Sequence, residues 1–389
     1  MRFKSILFLF LFLMISTGAV LAASAETQLL AESIQEQLEE LNLKQLLGFT
    51  ELVEVDLQDF IPDLSLSHLL SGSSGTAGVM QFLNLLLKRF LREIYLSLHF
   101  IRQLIVITIL SALLQRLDST FGAKTVVNLA FAVCFLVLAY LCLQSFQAVL
   151  AVATESVDQM VSFMYSLLPT LSALLITVGG ITSATIFHPL LWALVGAIAG
   201  LVHYLLFPLI LFGTAFGLLA HFSPELPLAK LGGFFRQGVT TLLGAAFMVF
   251  TGFMVVRGAI APVADGISLR AAKHLTKTLV PIAGGMFADA LEVAVGGSLL
   301  IKNGVGVFGL VMVVFLVLTP LIKVWSLVLV YKLVAALLEP ICDQRIVGAL
   351  AAVESSLILV FVSLGTVALM FLVTISIVVG LGNLAVLMR

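Results

Sequence analysis

The chain has 389 residues, 61% of them hydrophobic and only 11% charged, with a mean hydropathy of +1.19. Such a composition excludes an ordinary water-soluble globular domain, and a net charge of −1 offers no strong positive field for nucleic acid, which is not an expected partner. The near-neutral total hides a split: residues 26–63 hold ten acids and one base, whereas the chain beyond them is net basic. The two parts are therefore expected to face different compartments or surfaces.

Arg2 and Lys4 precede the apolar stretch from Ile6 to Ile15, which runs into small residues ending in Ala23, Ser24 and Ala25. This reads as a secretory signal over residues 1–25, cut after Ala25 or, in competition, after Ala22; an uncleaved anchor helix is the alternative. Residues 26–78 read as a small exported acidic region and linker. Leu30, Ile34, Leu38 and Leu41 recur at helical spacing there, predicting one or two amphipathic helices, and Ser71 to Thr76 is flexible by composition. Lys88, Arg89 and Arg92 then stand beside leucines, as in a helix at headgroup level.

Residues 79–389 read as an all-α, multi-pass membrane domain of about six to eight spanning helices, since each crossing takes about 20 apolar residues. The runs predict crossings near 94–114, 126–147, 160–180, 186–207, 238–256, 304–322, 324–339 and 356–380. The stretch from Ile186 to Phe222 is too long for one upright crossing, and Pro208 is expected to divide it from a re-entrant or interfacial piece. Between the runs, the segment 257–303 is amphipathic and basic, with Arg257, Arg270, Lys273, Lys277 and Lys302 against Asp265, Asp289 and Glu292. Its basic excess favours the cytoplasmic side, although Lys88, Arg89 and Arg92 would then lie outside. Cys134, Cys142 and Cys342 are an odd number, two of them in one apolar run, and read as packing residues.

No catalytic, cofactor-binding or metal-binding constellation is legible. Gly304, Gly306 and Gly309 spell G-x-G-x-x-G, but they open an apolar run with no ribose-binding acid at the required distance, so close helix packing is the better reading. The same holds for the small-xxx-small pairs Gly196 with Gly200 and Gly213 with Gly217, while Pro189, Pro208 and Pro320 mark kinks. His99 and His188 read as packing or headgroup contacts.

Ionisable residues among apolar runs are expensive in hydrocarbon and so are candidates for function. Asp265, Arg270, Lys273, Asp289, Lys302, Lys323, Lys332 and Glu339 form that set. Arg270, Lys273 and Lys277 share a helical face, which serves either as a docking surface or proton pathway, or as a contact with anionic lipid. Lys323 has the alternative of marking a short turn. Lys332 and Glu339 are two turns apart on one face, so each needs partners elsewhere.

Five stretches resemble the stage III sporulation protein AE family when taken in order and spacing. They are Thr185-Ile-Phe-His-Pro189, Ala264-Asp-Gly-Ile-Ser-Leu-Arg-Ala-Ala-Lys273, Val280-Pro281 with Gly285-Met-Phe-Ala-Asp289, Leu299-Leu-Ile-Lys-Asn303 and Val330-Tyr-Lys-Leu333. The resemblance implies a multi-pass protein of endospore-forming bacteria in the mother-cell membrane around the forespore. It implies sister proteins of the stage III sporulation A operon and a forespore-membrane partner, in a secretion-like channel or feeding tube that sustains late forespore transcription. A homo-oligomer is compatible with it, and no catalytic residue is implied. The competing expectation is a secondary transporter acting alone, motivated by Lys323, Lys332, Glu339 and the prolines at 169, 208 and 320.

Overall fold

The computed structural model describes residues 76–121, 124–222, 228–279 and 284–387, and every regular element among them is helical. The signal expected over residues 1–25 and all but the last three residues of the acidic region and linker expected over 26–78 lie outside the described residues; Thr76, Ala77 and Gly78 already belong to the first helix. The elements are α1 (Thr76–Phe121), α2 (Lys124–Thr177), α3 (Ile181–Leu201), a π-helical turn (Val202–Leu206), α4 (Phe207–Phe222), α5 (Ala229–Leu279), α6 (Gly284–Leu338) and α7 (Gln344–Leu387).

Their length is unusual. Helices α1, α2, α5, α6 and α7 have 46, 54, 51, 55 and 44 residues, so each is about 65–80 Å long at ~1.5 Å per residue, more than twice the hydrocarbon thickness of a bilayer. Among the described residues, five helical stretches are apolar and long enough to cross a membrane: Leu129–Thr177, Ile181–Phe222, Ala229–Ala261, Val295–Leu338 and Gln344–Asn383. A sixth is present if Leu86–Ser97 and Phe100–Leu113, bent by 42°, count as one broken span. This architecture fits a multi-pass membrane protein.

The crossings expected at 126–147 and 160–180 belong to the single helix α2, and those at 304–322 and 324–339 to the single helix α6. The supposed breaks carry Glu155, Asp158 and Lys323, all of which point outward from unbroken helices. A side chain on the outer face interrupts the hydropathy of a run without touching the backbone hydrogen bonds that continue the helix. Lys323 therefore marks no turn. Likewise Pro169 and Pro320 lie inside α2 and α6. Pro189 is exposed within α3.

The stretch from Ile186 to Phe222 is continuous but not uniform. Ahead of Pro208, the N–H of Phe207 reaches back to the Val202 carbonyl, one residue beyond the α-helical partner. Proline has no N–H to donate and its ring crowds the carbonyl four residues earlier, and a widened turn relieves that crowding without ending the helix.

Helices α6 and α7 form the interior pair, each also packing against α2, while α5 lies against α4 and α7. Side-chain knobs set the register: Val379 sits over Gly306, Leu167 over Gly309 and Ile377 over Gly258. Gly306 and Gly309 of the G-x-G-x-x-G string thus make room for neighbouring helices, in agreement with the packing reading. Leu167, Leu171, Phe308, Val313, Val360, Leu364 and Phe371 are among the buried apolar side chains that fill the space between.

Candidate functional site

Two of the charged residues singled out from sequence are buried, and the fold treats them differently from the rest. Asp265 is 1% exposed and Lys302 is 0% exposed. Their burial is costly unless hydrogen bonds replace lost water, so the groups around each explain its presence.

Asp265 lies in the C-terminal half of α5 and reaches the start of α3. Its Oδ1 accepts the backbone N–H of Thr182 at 2.8 Å and that of Ser183 at 3.2 Å, and Oδ2 accepts the Ser183 N–H at 3.3 Å and the Ser183 hydroxyl. The first N–H groups of a helix lack intrahelical partners and carry partial positive charge. Gly180 at the N-cap position of α3 has no side chain with which to satisfy them. A carboxylate from 83 positions along the chain supplies the cap instead. The preceding residue, Gly179, has φ of 96°, a backbone state that favours glycine and that turns α2 sharply into α3.

Lys302, on α6, points into α7. Its Nζ donates to the Val379 carbonyl at 2.7 Å and lies where a Cβ on Gly382 would fall. Among the described residues no carboxylate forms an ion pair with it. The Oδ1 atoms of Asn303, which follows Lys302, and of Asn383, which follows Gly382, are buried with no hydrogen-bond partner among the described residues. Because α6 runs antiparallel to both α5 and α7 in the register set by Gly258, Gly306 and Gly309, Lys302, Asp265 and the turn at Val178–Gly180 gather at one end of the bundle.

The remaining candidates do not converge there. Lys323, Lys332 and Glu339 are exposed, so they do not line a common interior. Arg270 and Lys273 lie in the last turns of α5 and Asp289 near the start of α6, and their side chains are outside the described residues. His188 meets the Ser172 hydroxyl at 3.1 Å, and the side chain of His99 is outside the description.

The glycine pairs divide. A Cβ on Gly232 of α5 would stand 3.2 Å from the Gly217 nitrogen and 3.3 Å from its Cα, so α4 and α5 cross with their backbones nearly touching; Gly213 faces Phe235 at the same crossing. Gly196 lies under the Tyr165 hydroxyl, whereas Gly200 meets only Tyr204 in its own helical stretch and opens no crossing.

Sequence reasoning misses four polar side chains. Arg236 is half-buried at the α4–α5–α7 contact, where Nη2 donates to the Ala352 carbonyl at 3.2 Å while Nε is buried without a partner among the described residues. Tyr331 is fully buried, and its hydroxyl lies 2.5 Å from the Ser145 hydroxyl, which itself donates to the Cys142 carbonyl. Asn303 and Asn383 complete the set. An asparagine in an apolar run is the available signal, and it lies next to Lys302 in one case and Gly382 in the other.

Just past α6, the Cys342 thiol approaches the Thr108 carbonyl at 3.7 Å, and partial burial pushes its pKa above the ordinary thiol value. No cluster of three or more His, Cys, Asp or Glu suited to a metal ion occurs among the described residues. The geometry is one of helix-to-helix polar fastening.

Residues 65–382 match the family profile described as stage III sporulation protein AE. The chain is also 35% identical over 286 residues to the stage III sporulation protein AE of Bacillus subtilis (strain 168), covering 74% of this chain and 72% of that one. No solved structure matches.

Proposed function

The chain belongs to the stage III sporulation protein AE family, a membership that implies a role in sporulation, and from that premise we propose that it is a non-enzymatic membrane component of a secretion-like channel between mother cell and forespore. In this reading it sits as a multi-pass protein in the mother-cell membrane around the forespore. It works with the sister proteins of the stage III sporulation A operon and a forespore-membrane partner, and it sustains late forespore gene expression.

The observation that carries the reading is that the family match extends over residues 65–382, a range containing nearly all of the five apolar helices. The buried charges support a scaffold role, because Asp265 is occupied by the N-terminus of α3 and Lys302 by a carbonyl of α7. A transporter acting alone has less support, since Lys323, Lys332 and Glu339 face outward instead of meeting around a solute path.

The test is deletion of the gene in its native host, with growth, engulfment and late forespore transcription followed in parallel, and crosslinking of a tagged copy in sporulating cells. Normal growth with arrest after engulfment, together with crosslinks to operon sisters, is the expected result. Unimpaired spores, or a tagged protein recovered without any sister, would overturn it.

A further inference from the structure

We propose that the bilayer encloses only one half of the bundle, the half between Lys302 and Lys323, and that Glu155, Asp158, His203, Tyr204, Lys323 and Trp325 form a belt of lipid-headgroup contacts at its boundary. This inference rests on the chain being a membrane protein and is independent of the channel reading.

The apolar stretches are too long for one bilayer. Leu129–Thr177 and Val295–Leu338 have 49 and 44 residues, which makes them about 65–75 Å long against about 30 Å of hydrocarbon. Tilts of up to about 40° do not absorb that excess. Some part of the column therefore stands outside the bilayer, and the exposed polar side chains say which.

Contacts between helices fix the level of each such side chain. Helices α2 and α6 run antiparallel, with Ser145 meeting Tyr331 and Leu167 lying over Gly309, so Lys323 stands within about two turns of Glu155 and Asp158 along the bundle. All three are exposed. His203 Nε2 is 2.9 Å from Asp158 Oδ1, and the next residue, Tyr204, is 85% exposed. Trp325, also exposed, meets Phe361 of α7. Charges of both signs and two exposed amphipathic rings thus share one level near mid-height, where charges avoid hydrocarbon and Tyr and Trp favour headgroups.

The two halves on either side of this level differ. Toward Lys302, 21 residues or about 32 Å along α6, the segments 159–177, 181–201, 303–322 and 363–382 contain no Asp, Glu, Lys or Arg. Helix α5 adds Arg257, about 9 Å from the level of Lys302 by the Gly258–Ile377 and Gly306–Val379 contacts, and its guanidinium lies over the Phe253 ring. Toward Glu339, charges return within about 14 Å, at Lys332. Arg102 of α1, Arg236 of α5 and Glu354 of α7 stand at the level of Lys332, as the contacts Phe100–Tyr331, Arg236–Ala352 and Trp325–Phe361 require. A bilayer on that half would hold these four in mid-hydrocarbon. On the Lys302 half it avoids them and encloses one passage each of α2, α3, α5, α6 and α7, which is one passage of each of the five apolar stretches.

The two tryptophans of the chain measure the depth. Trp192, 42% exposed, stacks on Tyr165, a level about 18 Å from the belt and near the middle of the proposed slab. The full-length protein is placed in nanodiscs of phosphatidylcholine brominated either near the headgroup or deep in the acyl chains, as Trp325→Phe and as Trp192→Phe, so that each variant keeps one tryptophan. Expected is emission of Trp192 quenched several-fold more by deep than by shallow bromine, and the reverse for Trp325. A Trp192 quenched by neither lipid, or a Trp325 quenched most by deep bromine, overturns the proposal. Should the variants not fold, the unaltered protein in nanodiscs is treated with an amine-acylating reagent that does not enter hydrocarbon, and the modified lysines are read by mass spectrometry. Modification of Lys332 at the rate of a water-exposed lysine is expected, and an unmodified Lys332 overturns the placement.

Discussion

Two helix crossings in this molecule each depend on a glycine, and they use it for opposite purposes. At the α4–α5 crossing Gly232 lets one backbone rest on another, with the Gly217 nitrogen and Cα a little over 3 Å from where its Cβ would be. At the α6–α7 crossing Gly382 makes room for the charged end of Lys302. The first is an apolar contact of the kind that drives helix association in lipid. The second admits a polar group that must be hydrogen-bonded to be tolerated. A methyl group added to either glycine thus meets a different obstacle, backbone in one crossing and a buried cation in the other.

The most damaging way to break this pairing is Gly382→Ala. The added methyl occupies the position of Nζ, so Lys302 must withdraw from Val379 into surroundings with no counter-ion among the described residues. A loss of about 3 kcal/mol is expected, combining overpacking with an uncompensated buried charge, measured as reversible unfolding in mixed micelles. Adding Lys302→Met to that variant should recover much of the loss, because the methyl then meets a flexible apolar side chain. A double variant no more stable than the single one would remove the charge from the explanation. Gly232→Ala comes next at about 2 kcal/mol, since the Gly217 backbone can yield only by separating the helices; it should also reduce crosslinking between cysteines placed across the α4–α5 crossing.

Asp265→Asn tests the other buried charge at the same end of the bundle. The amide keeps the shape but forfeits a charge-assisted cap, and about 1 kcal/mol is expected, read as faster hydrogen exchange of the Thr182 and Ser183 amides. The smallest effect has the opposite sign. Gly233 neighbours Gly232 but has nothing within 4 Å of its Cβ position, so Gly233→Ala should stabilise by about 0.5 kcal/mol through the better helix propensity of alanine. Equal destabilisation at 232 and 233 would mean that the crossing is not where the glycines place it.

Much of the membrane body is legible in the amino-acid sequence. The apolar runs identify α-helical membrane segments, and Gly213, Gly217, Gly306 and Gly309 stand out as packing positions because small residues at helical spacing have few other uses in such runs. Helix continuity is not legible. Glu155, Asp158 and Lys323 look like boundaries in a hydropathy profile, yet each lies on an outer face of α2 or α6. Hydropathy reports which solvent a side chain prefers, whereas continuity depends on backbone hydrogen bonds that no outward side chain disturbs.

The interior charges are only half legible. Lys302 and Asp265 are among eight candidates with similar sequence surroundings, and what distinguishes them is the helix each faces. Ser183 and Val379, which satisfy them, are 82 and 77 residues away. The asparagines at 303 and 383 escape notice because they carry no charge and belong to no cluster or motif of known chemistry, although an amide is costly to bury unpaired.

The π-helical turn at Val202–Leu206 has a consequence for assembly of the fold. It takes up one residue more than an α-helical turn would, so the stretch beyond it keeps the facing it would have if that residue were absent. Tightening the turn to α-helical geometry would rotate everything downstream by about 100°. Gly213 and Gly217 would then swing away from Gly232. The five residues ahead of Phe207 and Pro208 act as an angular stop, fixing which side of α4 is offered to α5.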